Sequence, residues 1–146
     1  MKCSIIIDES REEEVIVYAH SRNRLVEDIE DLVMQGHTEL IGYGADGAIK
    51  KLSPSEVLCF ATEGGRLYAH CEREKFEVRE RIYMLEEMLG ADFVKINQSC
   101  IANIKSIDRF KVSLGGALVV VFKNGYKDYV SRRQIKAVKE RIGFKI

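Results

Sequence analysis

The sequence predicts a mainly β chain with short helices, preceded by a small strand–strand–helix segment. Three observations predict it. Short apolar runs recur from Leu40 to Val130, most of them closed by Gly, Asn or Asp, which is the pattern of short antiparallel strands. Helical spacing of apolar residues is confined to three stretches, around residues 25–33, 82–89 and 135–142. At 146 residues, 46% apolar and 32% charged, the chain has the size of one ordinary domain with a short N-terminal appendage, and it is expected to fold alone.

The N-terminal appendage is read as residues 1–37. Cys3 to Ile7 and Val15 to Ala19 are apolar runs separated by the charged turn Asp8 to Glu14, and both read as strands. A helix follows, with Ser21 as N-cap, Leu25, Val26, Ile29, Leu32 and Val33 at helical spacing, and Gly36 where a left-handed stop is wanted. Its outer face carries Glu27, Asp28, Glu30 and Asp31, which would repel a polyanion, so this segment is assigned to packing or dimerisation.

Residues 38–146 form the second unit. Strands are expected at Leu40 to Tyr43, Ala48 to Leu52, Val57 to Thr62, Arg66 to Cys71 and Phe76 to Val78, with Glu63-Gly64-Gly65 as a flexible hairpin tip. A helix from about Arg79 to Leu89 buries Ile82, Leu85, Met88 and Leu89 and ends at Gly90. Phe93 to Ile96 and Cys100 to Asn103 follow, then a meander of Ile107 to Leu114, Leu118 to Phe122 and Lys127 to Val130. Its turns, Gly115-Gly116 and Asn124-Gly125, tolerate positive φ. The last helix runs from Ser131 to about Ile142.

The zero net charge conceals an asymmetry. Residues 1–90 carry 11 Lys and Arg against 19 Asp and Glu, net −8, whereas residues 91–146 carry 12 against 4, net +8. A basic C-terminal third suits a polyanion such as nucleic acid. No apolar stretch approaches the roughly 18–20 residues needed to cross a bilayer, and the N-terminal run is too short for a secretory signal, so a cytoplasmic chain is expected.

The four cysteines, Cys3, Cys59, Cys71 and Cys100, lack Cys-x-x-Cys spacing and are read as reduced, with Cys3, Cys59 and Cys100 packed as small hydrophobes. Cys71 beside His70 is the one pairing that invites a thiol-enzyme reading, but neighbours in a strand point to opposite faces. His20 and His37 are isolated in the sequence. Neither a metal site nor a cofactor is expected.

Three constellations point to DNA. Ser131-Arg132-Arg133-Gln134 has the spacing of a capping box. Arginines in a first helical turn oppose the macrodipole by about 0.3–1 kcal/mol each, which makes sense where an anion is bound, and otherwise leaves a tolerated solvated pair. Lys95-Ile96-Asn97-Gln98-Ser99 is a polar interruption between apolar runs. Asn97 and Gln98 could pair with adenine while Lys95 and Ser99 take phosphates, or the segment could simply be a turn satisfying its own backbone. Gly64-Gly65-Arg66 would let the backbone approach a groove closely with Arg66 on a phosphate, or be an ordinary hairpin. Gly44-x-x-Gly47 lacks the Gly-Lys-Ser/Thr ending of a phosphate loop.

The run Phe93-Val-Lys-Ile-Asn-Gln-Ser-Cys-Ile-Ala-Asn103, with Ile107, Leu118 through Lys123-Asn-Gly125, and Val130-Ser-Arg-Arg-Gln134, resembles the LytTR DNA-binding domain of bacterial transcription regulators over roughly residues 38–146. The resemblance implies an elongated β-β-β arrangement of antiparallel sheets without a helix-turn-helix, inserting loops into successive major grooves. It places DNA contacts at Gly64-Gly65-Arg66, at Asn97-Gln98 before Ser99, and at Arg133. Family members commonly hold His-Arg or His-Asn before that serine, where this sequence has Asn97-Gln98. Many carry a phosphorylated receiver domain, for which residues 1–37 are too few, so the chain resembles the stand-alone branch.

The function expected is sequence-specific, non-enzymatic regulation of transcription by a homodimer on repeated half-sites of double-stranded DNA. A β-rich module binding a small molecule or a protein is the alternative. A membrane-protein partner would enter only if the neighbouring gene encoded one.

Overall fold

The structure is a computed structural model that describes residues 1–36 and 39–144, the side chains of residues 34–36 excepted. The expected boundary between residues 37 and 38, and His37 itself, lie outside the described residues.

The two N-terminal strands do not form. Residues 1–23 contain no strand, and Ile5, Ile6 and Ile7 are more than 80% exposed. A lone two-stranded hairpin is marginal in water, and among the described residues no third strand pairs with this segment. Cys3 is exposed too, so it does not pack as expected. Helix α1 (Arg24–Gly36) is capped two residues after the expected Ser21, by Asn23, whose side chain accepts from Val26 N at 3.0 Å.

The β region follows the expected order closely. β1 (Leu40–Tyr43), β2 (Ile49–Leu52), β3 (Cys59–Glu63), β4 (Arg66–His70) and β5 (Lys75–Val78) precede helix α2 (Ile82–Met88). β6 (Phe93–Asn97), β7 (Cys100–Asn103), β8 (Ile107–Val112), β9 (Leu118–Phe122), β10 (Lys127–Val130) and helix α3 (Ile135–Ile142) complete the chain. Single turns of 3-10 helix occupy Pro54–Glu56 and Ile104–Ser106. Seven strands form one sheet in the order β2-β1-β5-β4-β3-β7-β6, and three form a second in the order β10-β9-β8, all paired antiparallel.

Alternation of side chains explains why the middle of the large sheet reads as unbroken apolar runs. Cys59 and Ala61 of β3, Val94 and Ile96 of β6, and Cys100 and Ala102 of β7 pack toward Leu118, Val120 and Phe122 of the small sheet and Val138 of α3. The intervening Phe60, Phe93 and Ile101 turn to the other face, where they meet Val57, Leu67, Phe76 and Leu85 of α2. Both faces are covered, and each fully buried Leu, Ile, Phe or Val contributes about 1.5–3 kcal/mol relative to exposure. Gly42 marks a tight point on β1: a Cβ there would lie 2.6 Å from Leu52 and 2.7 Å from Phe76.

Several element ends differ from expectation, the starts of α2 and α3 and the end of β8 among them. α2 starts at Ile82 rather than Arg79, with Arg81 in extended geometry as its N-cap. β8 stops at Val112, and Leu114 stands fully exposed in a turn closed by Ser113 N and Ala117 O at 2.8 Å. α3 starts at Ile135, and the capping box at Ser131 and Gln134 is not made. The Ser131 amide, which the Gln134 side chain would need, is already donated to Ile96 O at 2.8 Å, continuing the contact between β10 and β6.

Candidate nucleic-acid interface

The hairpin tip between β3 and β4 is a two-residue turn with Gly64 at φ 57° and Gly65 at φ 81°. Positive φ at both central residues is the turn that matches strand twist, and only glycine takes it without strain. A Cβ at either position would meet nothing within 4 Å, so the backbone demands glycine here and the surroundings do not. Arg66 is exposed beside the tip and pairs with Glu77 at 3.3 Å.

The tip does not stand alone. β7 runs antiparallel to β3 with Ala61 opposite Cys100, so the turn Gln98-Ser99 lies at the same end of the sheet, and Thr62 N donates to Ser99 O at 2.8 Å. On the far side of β6, Ser131 N donates to Ile96 O at 2.8 Å, which holds the turn Arg132–Gln134 against the same strand. Two backbone hydrogen bonds thus link the three candidate regions across β3, β7, β6 and β10.

Within this surface the residues divide by exposure. Gln98, Ser99, Arg132 and Arg133 are exposed, and among the described residues no ion pair ties either arginine. The arginines precede α3 in a turn whose Gln134 and Ile135 amides both donate to Ser131 O, at 2.9 and 3.1 Å. They therefore sit ahead of the helix rather than inside its first turn. Lys95 is mostly covered, with its ammonium 3.8 Å from Glu86 of α2.

Asn97 is placed differently from a base-reading side chain. It is 1% exposed, and its amide nitrogen donates to Asp128 Oδ1 at 3.0 Å and to Tyr129 O at 2.8 Å, while its oxygen accepts from Ser99 N at 2.8 Å. The carboxamide is consumed in shaping the turn. A β-bulge at Ile96, between Lys95 and Asn97, turns Asn97 inward and leaves Gln98 at the apex.

Behind the turns lies a polar network that the sequence did not suggest. His70, buried on β4, donates from Nε2 to Glu63 Oε1 at 2.9 Å, the tautomer required by an acceptor-only carboxylate. Lys75 Nζ donates to the other Glu63 oxygen at 2.6 Å and holds that carboxyl below its usual range. Burial pushes the His70 imidazolium down despite Glu63, so the ring is neutral at pH 7. The ring stacks on Tyr126 at 4.2 Å, and Tyr126 OH lies 3.4 Å from Asp128 Oδ2. The only signal in the sequence was that Asp128 is one of 4 acids in residues 91–146.

Cys71 and Cys100 are poor nucleophiles. Burial pushes the Cys71 thiol up to about 11, and His70 points its nitrogen at Glu63 instead. Cys100, next to Ser99, is raised far above the ordinary range by its contact with Cys59 and by burial. Among the described residues no cluster of His, Cys, Asp or Glu could hold a metal, and no helix is long and apolar enough to cross a membrane.

Residues 47–143 match the family described as the LytTr DNA-binding domain. The chain belongs to the LytTR family. A LytTr DNA-binding domain of a methyl-accepting/DNA response regulator from Bacillus cereus superposes with a TM-score of 0.66, covering 73% of this chain and 99% of that one at 17% identity, so it shares the fold. Relatives from Staphylococcus aureus strains NCTC 8325 and COL are each 30% identical over 146 residues, covering 97% of this chain and 98% of theirs. Both are named uncharacterized HTH-type transcriptional regulators. In this LytTR protein no two described helices are consecutive: α2 lies between β5 and β6, and α3 follows β10, so its candidate interface is built from turns.

Proposed function

We propose that this LytTR protein is a sequence-specific regulator of transcription that lays its three turns into successive major grooves of double-stranded DNA. The observation that carries the reading is the alignment of the Gly64-Gly65-Arg66, Gln98-Ser99 and Arg132-Arg133 turns along one linked set of strands, with exposed donors at each. Gln98 at its apex offers a carboxamide suited to adenine, Arg133 a guanidinium fork suited to guanine, and Ser99, Arg66, Arg132 and Lys95 reach phosphates. Lys95 would first leave Glu86. Asn97 belongs to this site as the residue that shapes the turn.

The reading extends to a cytoplasmic homodimer on repeated half-sites, with residues 1–37 as the contact between copies. Its support is the exposure of Ile5, Ile6, Ile7, Val15, Ile16 and Tyr18, which the chain itself leaves uncovered. Light scattering on the full chain should give the mass of two copies, and a monomer at micromolar concentration would remove this part.

The central test starts from an operator selected from random duplex DNA. Arg133→Ala should lose about 1–3 kcal/mol of binding to that operator and little on a scrambled duplex. Lys136→Ala, removing an exposed charge of α3, should weaken both duplexes alike and reduce the salt slope by about 1 if it meets a phosphate. Equal operator affinity for Arg133→Ala and the parent would show that Arg133 reads nothing.

A further inference from the structure

Asp128 sits on β10, in the small sheet, yet one oxygen of its carboxylate reaches across to the large one. Oδ1 accepts from the buried Asn97 amide at 3.0 Å and from Tyr129 N at 2.8 Å, and Oδ2 faces Tyr126 OH at 3.4 Å. Asn97 has no freedom left once this is done, because Tyr129 O takes its second N–H and Ser99 N its oxygen. The turn that lifts Gln98 to the surface is therefore clamped from beneath by a side chain of the other sheet. Through Tyr126, stacked on His70, the clamp continues to Glu63, the residue that leads into Gly64-Gly65.

We propose that Asp128 is a positioning residue for DNA reading: it orients Asn97, and through it fixes where the Gln98 carboxamide stands. The inference rests on the reading of Gln98 as a base-contacting residue. Asp128 itself touches no DNA. Removing it leaves the Asn97 amide with an unmet donor in a buried site, and a carboxamide so placed seeks water or rotates, which frees the Ser99 amide and loosens the apex. Asparagine at 128 keeps an oxygen for Asn97 and nearly the same volume, so it should preserve the turn where alanine does not.

The experiment measures affinity for the selected operator and for a scrambled duplex of equal length, using the parent, Gln98→Ala, Asp128→Ala, Asp128→Asn and the Gln98→Ala/Asp128→Ala double variant. Asp128→Ala should weaken operator binding about tenfold, the scale of a lost bidentate base contact, and leave the scrambled duplex unchanged. Asp128→Asn should restore most of it. On the Gln98→Ala background Asp128→Ala should add nothing, because the group it positions is gone. Hydrogen exchange at the Ser99 amide, without DNA, should accelerate in Asp128→Ala and stay near the parent in Asp128→Asn. If Asp128→Ala does not fold, Asp128→Ser takes its place in each comparison. Losses that are equal on both duplexes, or that add to Gln98→Ala, would overturn the positioning role while leaving Gln98 as reader. Gln98→Ala without effect on the operator would instead overturn the reading of Gln98, and the inference with it.

Discussion

His70 and Glu63 reach toward each other along one face of the β3–β4 hairpin, and the imidazole stays neutral although a carboxylate lies 2.9 Å away. Burial outweighs the charge, since Glu63 already shares its carboxylate with Lys75. The folded protein therefore binds a proton at His70 less readily than the unfolded chain, whose histidine titrates near 6.5. Stability from this group is complete above that value and is lost as pH falls from 6.5 toward the lower folded pKa. Urea midpoints should decline from about pH 7 to pH 5 in the parent. His70→Gln should flatten that window, whereas Glu63, also depressed, acts only below its ordinary 4.5. An unchanged slope in His70→Gln would assign the acid sensitivity elsewhere.

Gly42→Ala tests the close approach of β1 to the core. The new methyl would overlap Leu52 and the backbone-proximal Cβ of Phe76, neither of which can swing away freely. Overpacking of this kind costs about 1–3 kcal/mol, so the urea midpoint should fall with little change in slope. A midpoint equal to the parent's would mean that β1 shifts at no cost.

Gly65→Ala probes conformation instead of space. With open surroundings and φ at 81°, its cost should be near 1 kcal/mol, from the left-handed backbone alone. Thermal unfolding compared with Gly42→Ala should rank Gly42→Ala as the more damaging, and the reverse order would contradict the contrast between a crowded strand and an open turn.

Cysteine labelling at pH 7 should be led by Cys3, which is exposed. Cys71, half-buried and with its thiol raised to about 11, should lag far behind it. Rapid labelling confined to Cys71 would contradict its burial and reopen a thiol chemistry for the chain.

Strand order along the chain was legible where turns carry a residue signature: Gly64-Gly65, Gly115-Gly116 and Asn124-Gly125 each stand between two paired strands. The N-terminal strands misled for the opposite reason. An apolar run announces a wish for a partner, and Ile5 to Ile7 find none among the described residues. Ser131 and Gln134 have the spacing of a capping box, but spacing cannot reveal that Ile96, distant in sequence, takes the amide the box requires. Asn97 shows the same limit at the candidate site. Its residue type suits adenine as well as a turn, and the partners that bury it, Asp128, Tyr129 O and Ser99 N, cannot be read from its own position in the sequence.

The Gln98-Ser99 and Arg132-Arg133 turns project from strands whose inward residues are already saturated with contacts. Side chains at those four exposed positions can change with little effect on the packing below. On the proposed reading, the side chains that would contact DNA at these turns lie outside the packed core, so most changes in target preference there need not touch the residues that hold the fold.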